Sequence, residues 1–162
     1  MAASVSVRVY TGASAGTQSA AVTGIDMISA DNATNTLGNR QANPITVGTY
    51  SYEKWLKAYI DTPPANGCAN WKLWGDGAVQ ASTTFNFTGA YITGTTPTSG
   101  ASSVANANFN TYTAGNKATW DTNSYSATGA TTRFSVWQLQ VGSDAAAGNW
   151  SQETINYSFD ET

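Results

Sequence analysis

Large apolar and polar side chains alternate with a period of two along much of this chain, the pattern of half-buried β-strands, whose successive side chains point to opposite faces. In SVSVRVY (residues 4–10), Val5, Val7 and Val9 fall on one face and Ser4, Ser6, Arg8 and Tyr10 on the other. AVTGIDMIS (21–29) is a second, less regular strand candidate, bent at Gly24. TRFSVWQLQV (132–141) puts Ser135, Trp137, Leu139 and Val141 on one face and Phe134 and Val136 on the other, so apolar groups on both faces predict a central strand. QETINYSFDE (152–161) alternates cleanly, with Ile155, Tyr157 and Phe159 opposite Thr154, Asn156, Ser158 and Asp160. These last two segments are expected to pair as an antiparallel hairpin closing the domain.

SYEKWLKAYID (51–61) fits either period. A helix would align Tyr52, Trp55, Leu56, Tyr59 and Ile60 with Ser51 as N-cap. A strand would place Tyr52, Leu56, Ala58 and Ile60 inward and Glu53, Trp55, Lys57 and Tyr59 outward. The aromatic content and the turn DTPPANG favour a strand that hairpins into NWKLW. In that strand Trp71 and Leu73 share a face while Trp74 lies opposite with Asn70 and Lys72. The two indoles therefore do not form one stacking platform: one is expected in the core, the other on the outer face or at the sheet's end.

Two stretches, 29–44 and 93–130, are rich in Gly, Ser, Thr, Asn and Ala and carry no strong period. The second holds Val104, Phe109, Tyr112, Trp120 and Tyr125 as its only large apolar groups, so it either hides short irregular strands or is an excursion ordered by a neighbouring subunit. About eight short strands with long polar loops, frequent turn residues and no long helix predict an all-β fold. The expectation is a single β-sandwich domain over residues 1–162, immunoglobulin-like or jelly-roll in type, with a long loop excursion at about 93–130.

Composition changes the picture of the surface. Charged residues make up only 10% of the 162, against about 25% in an average soluble protein. In their place stand 40 Ser plus Thr and 14 Asn, which give a neutral polar exterior that suits packing against other protein and equally a secreted β-protein, two readings that composition alone does not separate. The seven basic residues are scattered and the net charge is −3, so no stripe exists to neutralise a phosphate backbone. Nucleic acid and membrane are not expected partners. The N-terminus lacks a basic start followed by an apolar run, which leads to an expectation of synthesis in the cytoplasm. Cys68 is alone and expected to be an idle or buried thiol. The four Asn-x-Ser/Thr sequons, at Asn32, Asn86, Asn149 and Asn156, are what chance gives in so Ser/Thr-rich a chain.

Candidate chemistry is sparse. With no histidine, the usual general base, the Ser-His-Asp and Cys-His arrangements and imidazole metal ligation all fall away. A glycosidase-type pair among the ten carboxylates would need carboxyls roughly 5 to 10 Å apart, and most of these acids sit in turns or outward strand positions. Asp76 between two glycines and Asp31 among asparagines could offer oxygen ligands to calcium, but Asx turns account for both. No phosphate-cradling glycine motif occurs. No enzyme, metal or cofactor is expected.

Taken together, SYEKWLKAYI, NWKLWGDG and VWQLQVGSDAAAGNWSQETINYSFDET give the chain a likeness to a family. It resembles small β-sandwich structural proteins of tailed bacteriophage virions, of the capsid decoration (cement) type, over residues 48–92 and 133–162. The resemblance implies a non-enzymatic virion protein on the capsid exterior, with the major capsid protein and copies of itself as partners, as a homo-oligomer or lattice-bound subunit. A tail or baseplate subunit is the neighbouring possibility. On this reading the N-terminal segment and the 93–130 excursion make the contacts, with Tyr112, Trp120 and Tyr125 as partner-binding anchors. A reading from a different class is a carbohydrate-binding or lectin-like module, stacking sugars on Trp74 or Trp150 with Asn and Asp as hydroxyl partners.

Overall fold

The computed structural model describes residues 2–77, 80–148 and 152–162. Among them nine strands form two antiparallel sheets packed as a β-sandwich. The strands are β1 (Ser4–Thr11), β2 (Thr17–Val22), β3 (Lys54–Thr62), β4 (Cys68–Gly75), β5 (Thr83–Tyr91), β6 (Ala107–Asn108), β7 (Ala118–Asp121), β8 (Phe134–Val141) and β9 (Ile155–Glu161). The large sheet has the order β2-β1-β3-β8-β5-β6 and the small one β7-β4-β9. A six-residue helix, α1 (Leu37–Ala42), interrupts the polar stretch after β2, with the Thr36 hydroxyl accepting from the Asn39 N–H as its N-cap.

The ambiguous 51–61 segment is a strand: Leu56, Ala58 and Ile60 turn toward the small sheet and join the main core. β8 lies between β3 and β5, as apolar groups on both of its faces require. The alternation in β4 is broken by a bulge. Its register against β9 shifts between Ala69 and Lys72, and Asn70 adopts a left-handed φ of 53°, a conformation Asn tolerates better than most residues. The extra residue lets Cys68 and Trp71 both face the core.

Two expected hairpins are absent. β3 and β4 lie in different sheets, because Pro63 and Pro64 lack the N–H groups that would carry the ladder through a tight turn, and the chain crosses the sandwich instead. β8 and β9 are likewise in different sheets. β8 needs a neighbour on each side and cover on both faces, whereas β9, apolar on one face only, completes the small sheet against β4. The second strand candidate also starts earlier than expected: β2 ends at Val22, and residues 23–29 run as a loop.

The main core, between the sheets, is dominated by Trp71, Trp120, Trp137, Phe85, Phe87 and Phe109. A second core covers the far face of the large sheet, where Tyr10, Trp55, Phe134 and Val136 pack with Val104 and Ala105. The 93–130 excursion is therefore built into the fold. Its first part is a strap lying over the outer face of the large sheet, and its later part supplies β6 and β7. Two buried side chains hold the strap. The Glu53 carboxylate accepts from Trp55 Nε1 at 3.0 Å and from the Ser102 hydroxyl, and the Glu53 N–H donates to the Thr98 carbonyl at 2.9 Å. Gln138 accepts from the Ser102 N–H at 2.8 Å and donates to the Gly100 and Ser51 carbonyls at 2.6 and 2.9 Å. Trp55, read as outward, is thus fully buried beneath the strap.

Candidate functional site

Six strands opposed by three leave part of the large sheet's inner face without a strand above it. On the β1/β2 side this produces a cleft of about 1190 Å³. Its floor includes Val5, Val7 and Val22, its roof Leu73, Trp120, Ile155 and Tyr157, and its far wall the loop after β2, from Ile25 to Ile28. Leu37 and Val47 stand at its rim, 51% and 47% exposed.

One ion pair and one buried lysine fix the loop that forms the far wall. Arg40 Nη1 donates to Asp26 Oδ1 at 2.8 Å, and Asp26 Oδ2 accepts from the Thr36 N–H, which fastens α1 to the loop. Lys54, almost fully buried, sends its ammonium to the carbonyls of Ala30 and Asn32 at 2.8 and 2.9 Å. Burial lowers its pKa from the ordinary 10.5 to about 8, with Asp31 and Asp26 opposing the shift.

β9 carries the other wall. Tyr157 donates its hydroxyl to the Val5 carbonyl at 3.4 Å, and the Ala3 N–H donates to the Glu161 carboxylate at 2.7 Å, so β9 rides above β1. At the opposite end Glu153 lines the cleft, its carboxyl set against Gly75, where a Cβ would lie 2.6 Å from its Oε1. Desolvation, and then the charge of Asp76, raise its pKa from 4.5 to about 7. Such a carboxyl is a proton-labile group near neutrality. Asp76 itself fastens the end of β9, its carboxylate accepting from the Thr154 N–H at 3.1 Å and its N–H donating to the Thr154 carbonyl.

The residues singled out from sequence fall in different places. Trp120 is 1% exposed and packs edge-on against Trp71 in the main core, at a ring separation of 6.2 Å. Its indole is not available to anchor a partner: β7 carries it inward, where the small sheet needs a large apolar group opposite the large one. Tyr125 is half-buried against the same core and donates its hydroxyl to Asp121 Oδ2 at 2.7 Å. Tyr112 is half-buried against Phe87 and Phe109. The three are not brought together on one surface. Trp71 is core and Trp74 lies on the outer face, as the alternation predicts, but Lys117 Nζ sits 4.1 Å from the Trp74 ring centroid and covers one side of it. Trp150 lies outside the described residues. Asp31 accepts from the Gly12 N–H at 2.8 Å and closes a loop contact. Among the described residues no group of three or more His, Cys, Asp and Glu side chains converges. Cys68 is buried, and desolvation pushes its thiol pKa up, away from thiolate chemistry at neutral pH.

The cleft was missed in the sequence because it depends on which sheet each strand joins. The clean one-faced alternation of 152–161 was the available signal of a strand covered on one face only.

Compared with known proteins, the chain matches no family model, no curated protein sequence and no solved structure.

Proposed function

We propose that this chain is a non-enzymatic structural protein of a tailed-phage virion, which docks on the outer surface of an assembled capsid and stabilises it. The observation that carries the reading is the apolar cleft beside the edge of β9, on a sandwich poor in charged residues. Such a surface is suited to being covered by protein, since few charges are left unpaired when it is buried. The phage assignment rests on the resemblance over 48–92 and 133–162, segments that build β3, β4, β5, β8 and β9.

A protein that binds the assembled lattice and not its free subunits stabilises the lattice by mass action, by about 2.7 kcal/mol per site at a hundredfold excess over Kd. Repetition over symmetric positions multiplies that gain. The test is to add purified protein to capsids stripped of accessory proteins and follow co-sedimentation and the temperature of capsid disruption. Saturable binding with a rise of several degrees is expected. Absence of both removes the reading.

A further inference from the structure

The open edge of β9 has a defined hydrogen-bonding phase. The Thr162 N–H donates to the Gly67 carbonyl at 2.9 Å and the Asp76 N–H to the Thr154 carbonyl at 3.1 Å. Between these ends Ser158 pairs with Lys72 and Asn156 with Trp74. In an antiparallel ladder, alternate residues direct their N–H and C=O groups to the same neighbour. Even-numbered residues of β9 therefore face β4, and Ile155, Tyr157 and Phe159 direct theirs to the open side. Among the described strands β9 pairs with β4 alone. The same three residues point their side chains into the sandwich, so a strand added at this edge would lay its own inward side chains over Val5, Val7 and Val22, in the cleft.

We infer that this edge accepts an extended segment of another protein chain, which extends the small sheet to four strands and fills the cleft with alternate apolar side chains. Charge specifies its chemistry. Residues 152–162 carry Glu153, Asp160 and Glu161 and neither Lys nor Arg. Two copies meeting edge to edge would bring two such sets of carboxylates together with no cation, which argues against a second copy as the occupant. The complementary occupant is a strand of about five residues, roughly 17 Å long, with apolar residues at alternate positions and Lys or Arg at its ends. The main chain supplies affinity and the cleft supplies selectivity, as in other strand-addition complexes. The other edges fit less well: β6 and β7 are two and four residues long, and β2 is polar or Ala along most of its length.

This inference rests on the structural-protein reading above, and the experiment separates the two. The probe is a synthetic peptide of alternating Val and Thr with two lysines at each end. Its controls are the same peptide with glutamates at the ends and one N-methylated at alternate residues. Binding to the intact protein is followed by tryptophan fluorescence and by hydrogen exchange of assigned amides. The expected result is at least tenfold tighter binding of the lysine-ended peptide than of either control. The charge preference should shrink in 0.5 M salt, and the amides of Ile155, Tyr157 and Phe159 should gain at least tenfold protection. Lack of binding overturns the inference, as does binding that leaves those three amides unprotected. If anilinonaphthalene sulfonate fills the cleft while the peptide does not bind, the cleft is a small-molecule pocket and the strand reading falls. If stripped capsids bind the protein yet the three amides stay unprotected on them, the inference fails and the capsid reading stands. If the peptide binds and capsids do not, the reverse holds.

Discussion

Replacing Glu53 with Ala should release the strap that covers the second core. The Glu53 carboxylate is 2% exposed and accepts from Trp55 Nε1 and from the Ser102 hydroxyl. Hydrogen bonds to a charged acceptor contribute about 1.5–3 kcal/mol each, and their loss strands a buried indole N–H, so Glu53→Ala should cost about 4 kcal/mol. Glu53→Gln keeps one acceptor oxygen and should cost about half as much. With a urea m-value of about 2 kcal/mol/M for a chain of this size, the alanine variant should unfold about 2 M earlier. The loss should also be local. Tyr10, Trp55, Phe134 and Val136 lose their cover, so the variant should bind anilinonaphthalene sulfonate and be cleaved within 93–105 at urea concentrations where the rest of the fold persists. Ser102→Ala removes the shared bond and also the acceptor for the Val104 and Ala105 N–H groups, so the double variant should be worse than Glu53→Ala alone but by less than the sum of the two single losses. A midpoint shift below about 0.5 M, or a strap that stays resistant to protease, would refute the assignment of Glu53 as the clamp.

Gly89 sits where β5 passes β7, and a Cβ there would lie 2.1 Å from the Thr119 carbonyl oxygen. Gly89→Ala should therefore cost about 3 kcal/mol, the upper end of overpacking penalties, read as a lowered urea midpoint. The raised pKa of Glu153 means that the folded protein holds a proton the unfolded chain has lost between pH 4.5 and about 7. Stability should fall as pH rises through that window, by about 1 kcal/mol once solvent screening of this half-exposed group is allowed for. Glu153→Gln should abolish that slope and raise the melting temperature at pH 7.5. Lys54 has the opposite sense: its folded pKa of about 8 lies below the unfolded 10.5. Charging it costs stability in full below pH 8, and the cost fades toward pH 10.5. Stability should thus rise across that interval by at most about 3 kcal/mol relative to Lys54→Met, compared by urea midpoints at pH 8 and pH 10.

The parts of the fold legible in the sequence are those decided within one strand. Val5, Val7 and Val9 share a face with the main core, β8 is central because Phe134 and Trp137 both need cover, and Trp71 and Trp74 divide between the faces of β4. What the sequence left open was pairing across distance. β3–β4 and β8–β9 each read as a hairpin because they are adjacent and separated by turn residues, but adjacency does not register that each of these two connections crosses to the opposite sheet. The anchors proposed within 93–130 failed at Trp120 for a related reason. A short strand with a single large indole looks the same in sequence whether that indole meets a partner or its own core.

The unequal widths of the two sheets explain where the molecule became available for docking. A six-stranded sheet exposes more inner surface than three strands can cover, so the remainder must be closed by loops. On the β5/β6 side Phe109 and Tyr112 do this, packing tilted and edge-on against Phe87 at ring separations of 5.3 and 6.3 Å. On the β1/β2 side the covering segment is the Asn- and Thr-rich stretch around 29–44, which has few side chains large and apolar enough to reach the floor. Its hold on the sheet comes from Lys54, and the Asp26–Arg40 pair ties α1 to the loop after β2, contacts that fix position but do not fill volume. The same polar composition that keeps the chain poor in charge therefore also leaves the cleft open. A single added strand at β9 would correct both the missing cover and the unpaired edge.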